Sequence, residues 1–191
     1  MLETLLDWDR RLLIALNSLH TPWLDPVMFY TSKTLFWLPL YLFLVYLLIR
    51  FYKKDFWIPL AGIVLTLLLS DQITSSIMKP YFERLRPSQE PSLAGIIHLV
   101  DGYKGGLYGF ASSHAANTFG TAMFFSLVLI KRTRWILLLF VWATGMTYTR
   151  IYLGVHYPGD ILVGMTVGLI SGWLGYQLCR RLAQRKPELL S

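Results

Sequence analysis

The chain has 191 residues, 54% of them hydrophobic and 15% charged, with a mean hydropathy of +0.47. A water-soluble domain carries about 25% charged residues, so this composition argues for a single membrane-embedded domain over residues 1–191. The net charge of +7 sits in short basic clusters between apolar runs, which suits anionic head groups and not a nucleic-acid surface, and the lone Cys179 excludes an internal disulfide or a cysteine zinc site.

Residues 1–33 read as an interfacial N-terminal segment. Leu5, Leu6, Leu12, Leu13, Leu16 and Leu19 oppose a charged face, with Trp8 as an anchor, which predicts an amphipathic helix lying along the membrane surface. Taking Asp7, Asp9, Arg10 and Arg11 across the lipid would be costly. The same charges break any apolar core of a cleavable signal peptide.

Five apolar runs follow, at 35–52, 56–78, 114–130, 135–152 and 159–179. A helix needs about 20 residues to cross a ~30 Å hydrocarbon layer. The expected fold is therefore all-α, a polytopic transmembrane bundle of about five spans plus the interfacial helix. Arg50, Lys53 and Lys54 follow the first span; Lys131, Arg132 and Arg134 the third; Arg180, Arg181, Arg185 and Lys186 the fifth. All three clusters fall on one side, which the positive-inside rule assigns to the cytoplasm. The connections at 79–113 and 149–160 then share the opposite face. Gly164, Gly168 and Gly172 line one face of the last span, a helix-packing stripe.

Those two connections, within a motif-bearing region at 79–160, hold the chemistry. Lys79 and Arg86 are seven apart and would share a helical face if Pro80 and Pro87 let the helix continue. Ser112, Ser113 and His114 open the third span, where a helix start cradles anions. Arg150, His156 and Asp160 surround a Pro158-Gly159 turn. Three permanent cations can neutralise the equatorial oxygens of a phosphoryl group. His156, held by Asp160, can attack phosphorus, and His114 can protonate the leaving oxygen. With no carboxylate cluster for magnesium, a reaction without metal or cofactor is the simpler expectation.

At these residues the sequence resembles the type 2 phosphatidic-acid-phosphatase superfamily, which also includes the vanadium haloperoxidases. Its motifs are K-x6-R-P, P-S-G-H and S-R-x5-H-x3-D. Lys79 to Pro87 matches the first in full. Ala111-Ser112-Ser113-His114 matches the second with Ala111 for proline and Ser113 for glycine. Thr149 to Asp160 matches the third with Thr149 for serine. The resemblance implies that Lys79, Arg86, Arg150, Ser112 and the backbone at Ser113 bind phosphate. It also implies His156 as nucleophile, Asp160 as its orienting group and His114 as general acid. Substrates implied are lipid phosphates and diphosphates: undecaprenyl diphosphate, phosphatidylglycerol phosphate, phosphatidic acid or lipid A phosphates. The expected setting is a bacterial inner membrane, with the site facing the periplasm or exterior and membrane lipids as its surroundings. A lipid phosphotransferase and a non-catalytic lipid-phosphate transporter are the alternatives.

Other polar residues are read more plainly. His20 and His98 are expected to be structural, and Asp71 to hydrogen-bond between helices. Glu83, Arg84 and Lys104 flank the expected site, with a head-group contact as one reading.

Overall fold

The computed structural model describes residues 2–185, which contain no β-strand. The helices run in the order α1 (Leu2–Asn17), α2 (Leu24–Thr31), α3 (Leu38–Tyr52), α4 (Trp57–Asp71), α5 (Lys79–Phe82), α6 (Ser113–Leu129), α7 (Leu138–Tyr152) and α8 (Pro158–Leu182). A π-helical turn at Gln72–Met78 joins α4 to α5, so Trp57–Phe82 is one helix of 26 residues.

Helix α3 shows what its surroundings are. Leu44, Leu48 and Tyr52, each four apart, are buried, while Leu42, Phe43 and Tyr46 are more than half exposed. A helix that is apolar all round yet buries one stripe presents its remaining surface to lipid. Among the described residues, three helices are long and apolar enough to cross a membrane: Thr34–Asp55, Trp57–Phe82 and Pro158–Leu182. Helices form at the other two expected spans as well, but α6 has 17 residues and α7 has 15. At 1.5 Å per residue, α6 covers about 26 Å, slightly short of a full hydrocarbon layer.

The centre of the bundle is α6, packed against α8, α4 and α7. Because lipid tails are as apolar as leucine, helices associate in a membrane through close packing. The glycine stripe provides it. A Cβ on Gly164 would run into Ser112 O, one on Gly168 into Ala116 O, and one on Gly172 into Gly120 O.

Helix α1 docks across the ends of α7 and α8. Leu13 and Asn17 are buried, and the Asn17 amide donates to Tyr152 O at 2.8 Å and accepts from His98 N at 2.7 Å. Its Leu5, Leu6, Trp8 and Leu12 remain exposed. At the opposite end of the bundle, Arg132 stacks 5.1 Å above the Tyr52 ring, which brings the first and second basic clusters together. Lys186, in the third cluster, lies outside the described residues.

Candidate active site

All three motif segments meet at the end of the bundle away from the basic clusters. Helix α5 stops at Phe82, with Glu83 left-handed at φ 46°. The two motif cations therefore do not share one helical face: Lys79 comes from the helix and Arg86 from an extended segment whose Leu85 bridges to Tyr108. The helix passes Pro80 and breaks at the left-handed Glu83, and Pro87 favours the extended backbone of Arg86 before it.

Lys79 Nζ donates to Ser113 Oγ at 2.7 Å and to Ser75 Oγ at 3.3 Å. Thr74 and Ser75, in the π-helical turn, also lie 2.9 and 2.8 Å from the Ser113 hydroxyl. Ser113 thus turns its side chain toward α4 and fixes the lysine. Ser112 is fully buried. Its side chain caps α6 by accepting from Ala115 N at 3.4 Å, and its own N–H donates to Asp160 O at 3.0 Å. In this arrangement the Ser112 hydroxyl serves the helix cap.

The turn between α7 and α8 places His156. Gly154 takes φ +66° there, and a Cβ would collide with Leu99; a left-handed residue lets the chain reverse within a few residues. Pro158 then starts α8, an N-terminal position where its missing N–H costs nothing. His156 is 1% exposed and Asp160 is fully buried.

The contacts of His156 settle its tautomer. Arg86 Nη1 lies 3.1 Å from His156 Nε2. A guanidinium only donates, so Nε2 accepts and the ring proton sits on Nδ1, which faces Asp160 Oδ2 at 3.3 Å. Burial, followed by the charges of Arg86, Arg150 and Lys79, holds the His156 imidazole well below the usual histidine range. It is a neutral ring with its Nε2 lone pair among cations, the form a nucleophile requires. Arg150 is buried, with Nη2 3.4 Å from the Tyr103 hydroxyl and Nε without a protein partner. The His114 ring lies in the field of Arg150 and Arg86. It also borders a groove of about 660 Å³ lined by Leu44, Leu67, Leu68 and Phe125.

Sequence reasoning missed the partners of Asp160. Arg84 is not turned to a head group: it bridges Asp160 Oδ1 at 2.8 Å and Asp9 Oδ2 at 2.7 Å. Asp9 Oδ1 accepts from Gly159 N at 2.7 Å. Glu83 and Lys104 are exposed. Asp71 also differs from expectation. It accepts from Ser75 within its own helix at 3.1 Å, while Ser75 and Thr74 make the interhelical contact. His98 stacks on His20 at 3.8 Å and pairs with Asp25 at 3.0 Å, apart from the motif residues.

The PAP2 superfamily model matches residues 57–183. Among curated relatives, the lipid A 4'-phosphatase of Bacteroides thetaiotaomicron is 39% identical over 188 residues, covering 97% of this chain and 83% of that protein. The lipid A 4'-phosphatase of Porphyromonas gingivalis is 34% identical, covering 93% and 75%. The crystal structure of Aquifex aeolicus LpxE superposes with a TM-score of 0.66 at 23% identity, covering 87% of this chain and 93% of that one. A PAP2-type phosphatidylglycerolphosphate phosphatase from Bacillus subtilis also gives 0.66 at 23% identity, covering 96% and 88%. At that identity the two structures speak for the fold, and the family model and the two long sequence matches speak for the family. With these matches, and with the motif cations and histidines gathered at one end of a lipid-facing bundle, the chain belongs to the PAP2 superfamily and is an integral membrane lipid-phosphate phosphatase.

Proposed function

We propose that this enzyme removes a phosphate from lipid A, through a phosphohistidine on His156, at the non-cytoplasmic face of a bacterial inner membrane. The observation that carries the mechanism is the double contact of His156, with Nδ1 toward Asp160 and Nε2 toward the cation cradle. Lipid A is favoured as the substrate class because the two relatives matched over more than nine-tenths of this chain carry that activity in their names. The groove beside His114 supports an acylated substrate, since it offers apolar walls next to the reacting groups.

The reaction divides into two displacements. Lys79, Arg86 and Arg150 draw the phosphate in and spread its charge, and Arg86 transfers its donor from Nε2 to a phosphate oxygen. Nε2 forms the new bond to phosphorus. The bond to the lipid oxygen breaks, and that oxygen takes a proton from His114, which holds it once the negative phosphate offsets the neighbouring arginines. The imidazole now carries positive charge, which Asp160 stabilises through Nδ1–H. Water, giving its proton to His114, then attacks phosphorus, releasing inorganic phosphate and restoring His156. The side-chain cations supply the charge that magnesium would supply elsewhere.

The topology proposed has five spans, with α6 and α7 crossing in the shelter of longer helices and α1 lying in the interface. This places the basic clusters in the cytoplasm.

The histidines provide the test. His156→Ala should abolish turnover of every substrate. His114→Ala should lose ~10²–10⁴-fold on a lipid phosphate but far less on nitrophenyl phosphate, whose leaving group needs no proton. Activity should survive EDTA and be inhibited by vanadate, a mimic of the pentacoordinate state. Turnover by His156→Ala on the activated ester would refute the nucleophile assignment.

A further inference from the structure

We infer that Arg84 and Asp9 are positioning residues for the reaction, forming a relay that ties the N-terminal helix α1 to the aspartate behind the nucleophile. The inference rests on the reading of Asp160 given above. It concerns two residues that are not fixed positions of the three motifs: Arg84 falls in the variable stretch between Lys79 and Arg86, and Asp9 lies beyond the segment 57–183 that the family model matches.

The geometry is specific. Asp160 is fully buried, and a carboxylate removed from water must have its lone pairs occupied. Oδ2 accepts from Tyr157 N at 3.1 Å and faces His156 Nδ1. Oδ1 accepts from Arg84 Nη1 at 2.8 Å. Arg84 reaches it with its guanidinium stacked 3.9 Å above the Tyr157 ring, so the side chain is held in plane as well as in place. Its second nitrogen, Nη2, donates to Asp9 Oδ2 at 2.7 Å. Asp9 in turn accepts from Gly159 N at 2.7 Å, next in sequence to Asp160. The fork of one arginine therefore spans two carboxylates, and Asp9 clamps both the arginine and the backbone at the start of α8.

This arrangement assigns the two oxygens of Asp160 separate tasks. Arg84 holds Oδ1, which leaves Oδ2 for His156 and keeps the carboxylate ionised, unable to take the Nδ1 proton. Without Arg84, Asp160 could rotate or pick up a proton, and Nδ1–H would lose its acceptor as the imidazole charges. Asp9 balances the added cation, so the guanidinium serves Asp160 instead of competing for the phosphate. The consequence falls on the chemical step, because both outer nitrogens of Arg84 are engaged by carboxylates and not by a phosphate.

The experiment uses full-length protein in detergent micelles with 4'-phosphorylated lipid A, reading kcat and KM separately. Arg84→Gln should lower kcat by ~10–100-fold, the range for outer-shell partners of a catalytic group, with KM within about twofold. Arg84→Lys should fall between, since an ammonium keeps the charge but cannot fork to two carboxylates. Asp9→Asn, isosteric and leaving the Arg84–Asp160 pair in place, should lose roughly three- to tenfold in kcat. In an Asp160→Asn background, neither Arg84→Gln nor Asp9→Asn should lower kcat further by more than about twofold, because residues acting as a unit are not additive. Should Arg84→Gln not fold, Arg84→Lys and Asp9→Asn alone and in that background decide. A raised KM with unchanged kcat would make Arg84 a head-group ligand and overturn the relay, as would losses that multiply in the Asp160→Asn background. Full activity in Asp160→Asn itself would instead overturn the reading of Asp160, a separate result.

Discussion

The Lys79 ammonium donates to the Ser113 hydroxyl at 2.7 Å, so the serine that stands in a glycine position of the family motif directly holds a cation of the site. Ser113→Gly would leave Lys79 with Ser75 at 3.3 Å and free its four-carbon stem to sample other rotamers. KM for a lipid phosphate should rise about three- to tenfold, corresponding to roughly 1 kcal/mol for one hydrogen bond, with kcat within about twofold. Steady-state kinetics of that variant provides the check. A fall in kcat at constant KM would place Ser113 in the chemical step instead.

The neutral ring of His156 has a pH signature. Its folded-state pKa is depressed well below 6.5 by burial and by Arg86, Arg150 and Lys79. The unfolded chain therefore binds the proton first as pH falls. The stability this residue contributes is present above pH 6.5 and is lost as pH falls toward the folded value, by up to about 1.4 kcal/mol per pH unit. Below pH 6.5 the parent protein should lose stability more steeply with falling pH than His156→Gln does. Nitrogen NMR of labelled histidine should show an Nδ1–H ring still neutral at pH 6. A His156 midpoint at or above 6.5 would contradict the site electrostatics.

Two glycines separate packing from propensity. A Cβ on Gly168 meets the Ala116 carbonyl, whereas a Cβ on Gly145, in α7, has no heavy atom within 4 Å. Gly168→Ala should destabilise by about 1–3 kcal/mol through overpacking. Gly145→Ala should be neutral or stabilise by up to about 1 kcal/mol, since alanine is the better helix former. Thermal unfolding in one detergent, with the two variants compared directly, measures the difference. Equal effects would remove the close-contact account of the α6–α8 interface.

Orientation can be tested with single cysteines. Cys179 is buried, its thiol 3.4 Å from Ile58 O, so a Cys179→Ser background isolates each new thiol. Arg132, Arg181 and Lys104 are exposed. In intact cells an impermeant maleimide should label Lys104→Cys and spare Arg132→Cys and Arg181→Cys, following the positive-inside rule. The reverse pattern would invert the topology.

How much of this was legible in advance follows from how far each interaction reaches along the chain. The amino-acid sequence by itself determined the long apolar helices α3, α4, α6, α7 and α8, because apolar runs and the basic clusters between them are local signals. It determined the four-residue glycine stripe, which helical periodicity sets, whereas His156 lies ahead of α8 and meets Asp160 through the corner at Tyr157. It could not choose partners for groups with several options. Arg84 and Lys104 read alike as cations beside a phosphate site, yet one is drawn to a carboxylate 76 positions away while the other stays exposed. Asp9 read as one charge on an amphipathic face, and only the docking of α1 brought it to a backbone N–H 150 positions away. The tautomer of His156, the turning of Ser113 toward Lys79 and the capping role of Ser112 were decided in the same way. A buried polar group takes whichever partner the packed helices bring within about 3 Å, because leaving it unpaired costs about 1–3 kcal/mol, and that distance is a property of the assembled bundle.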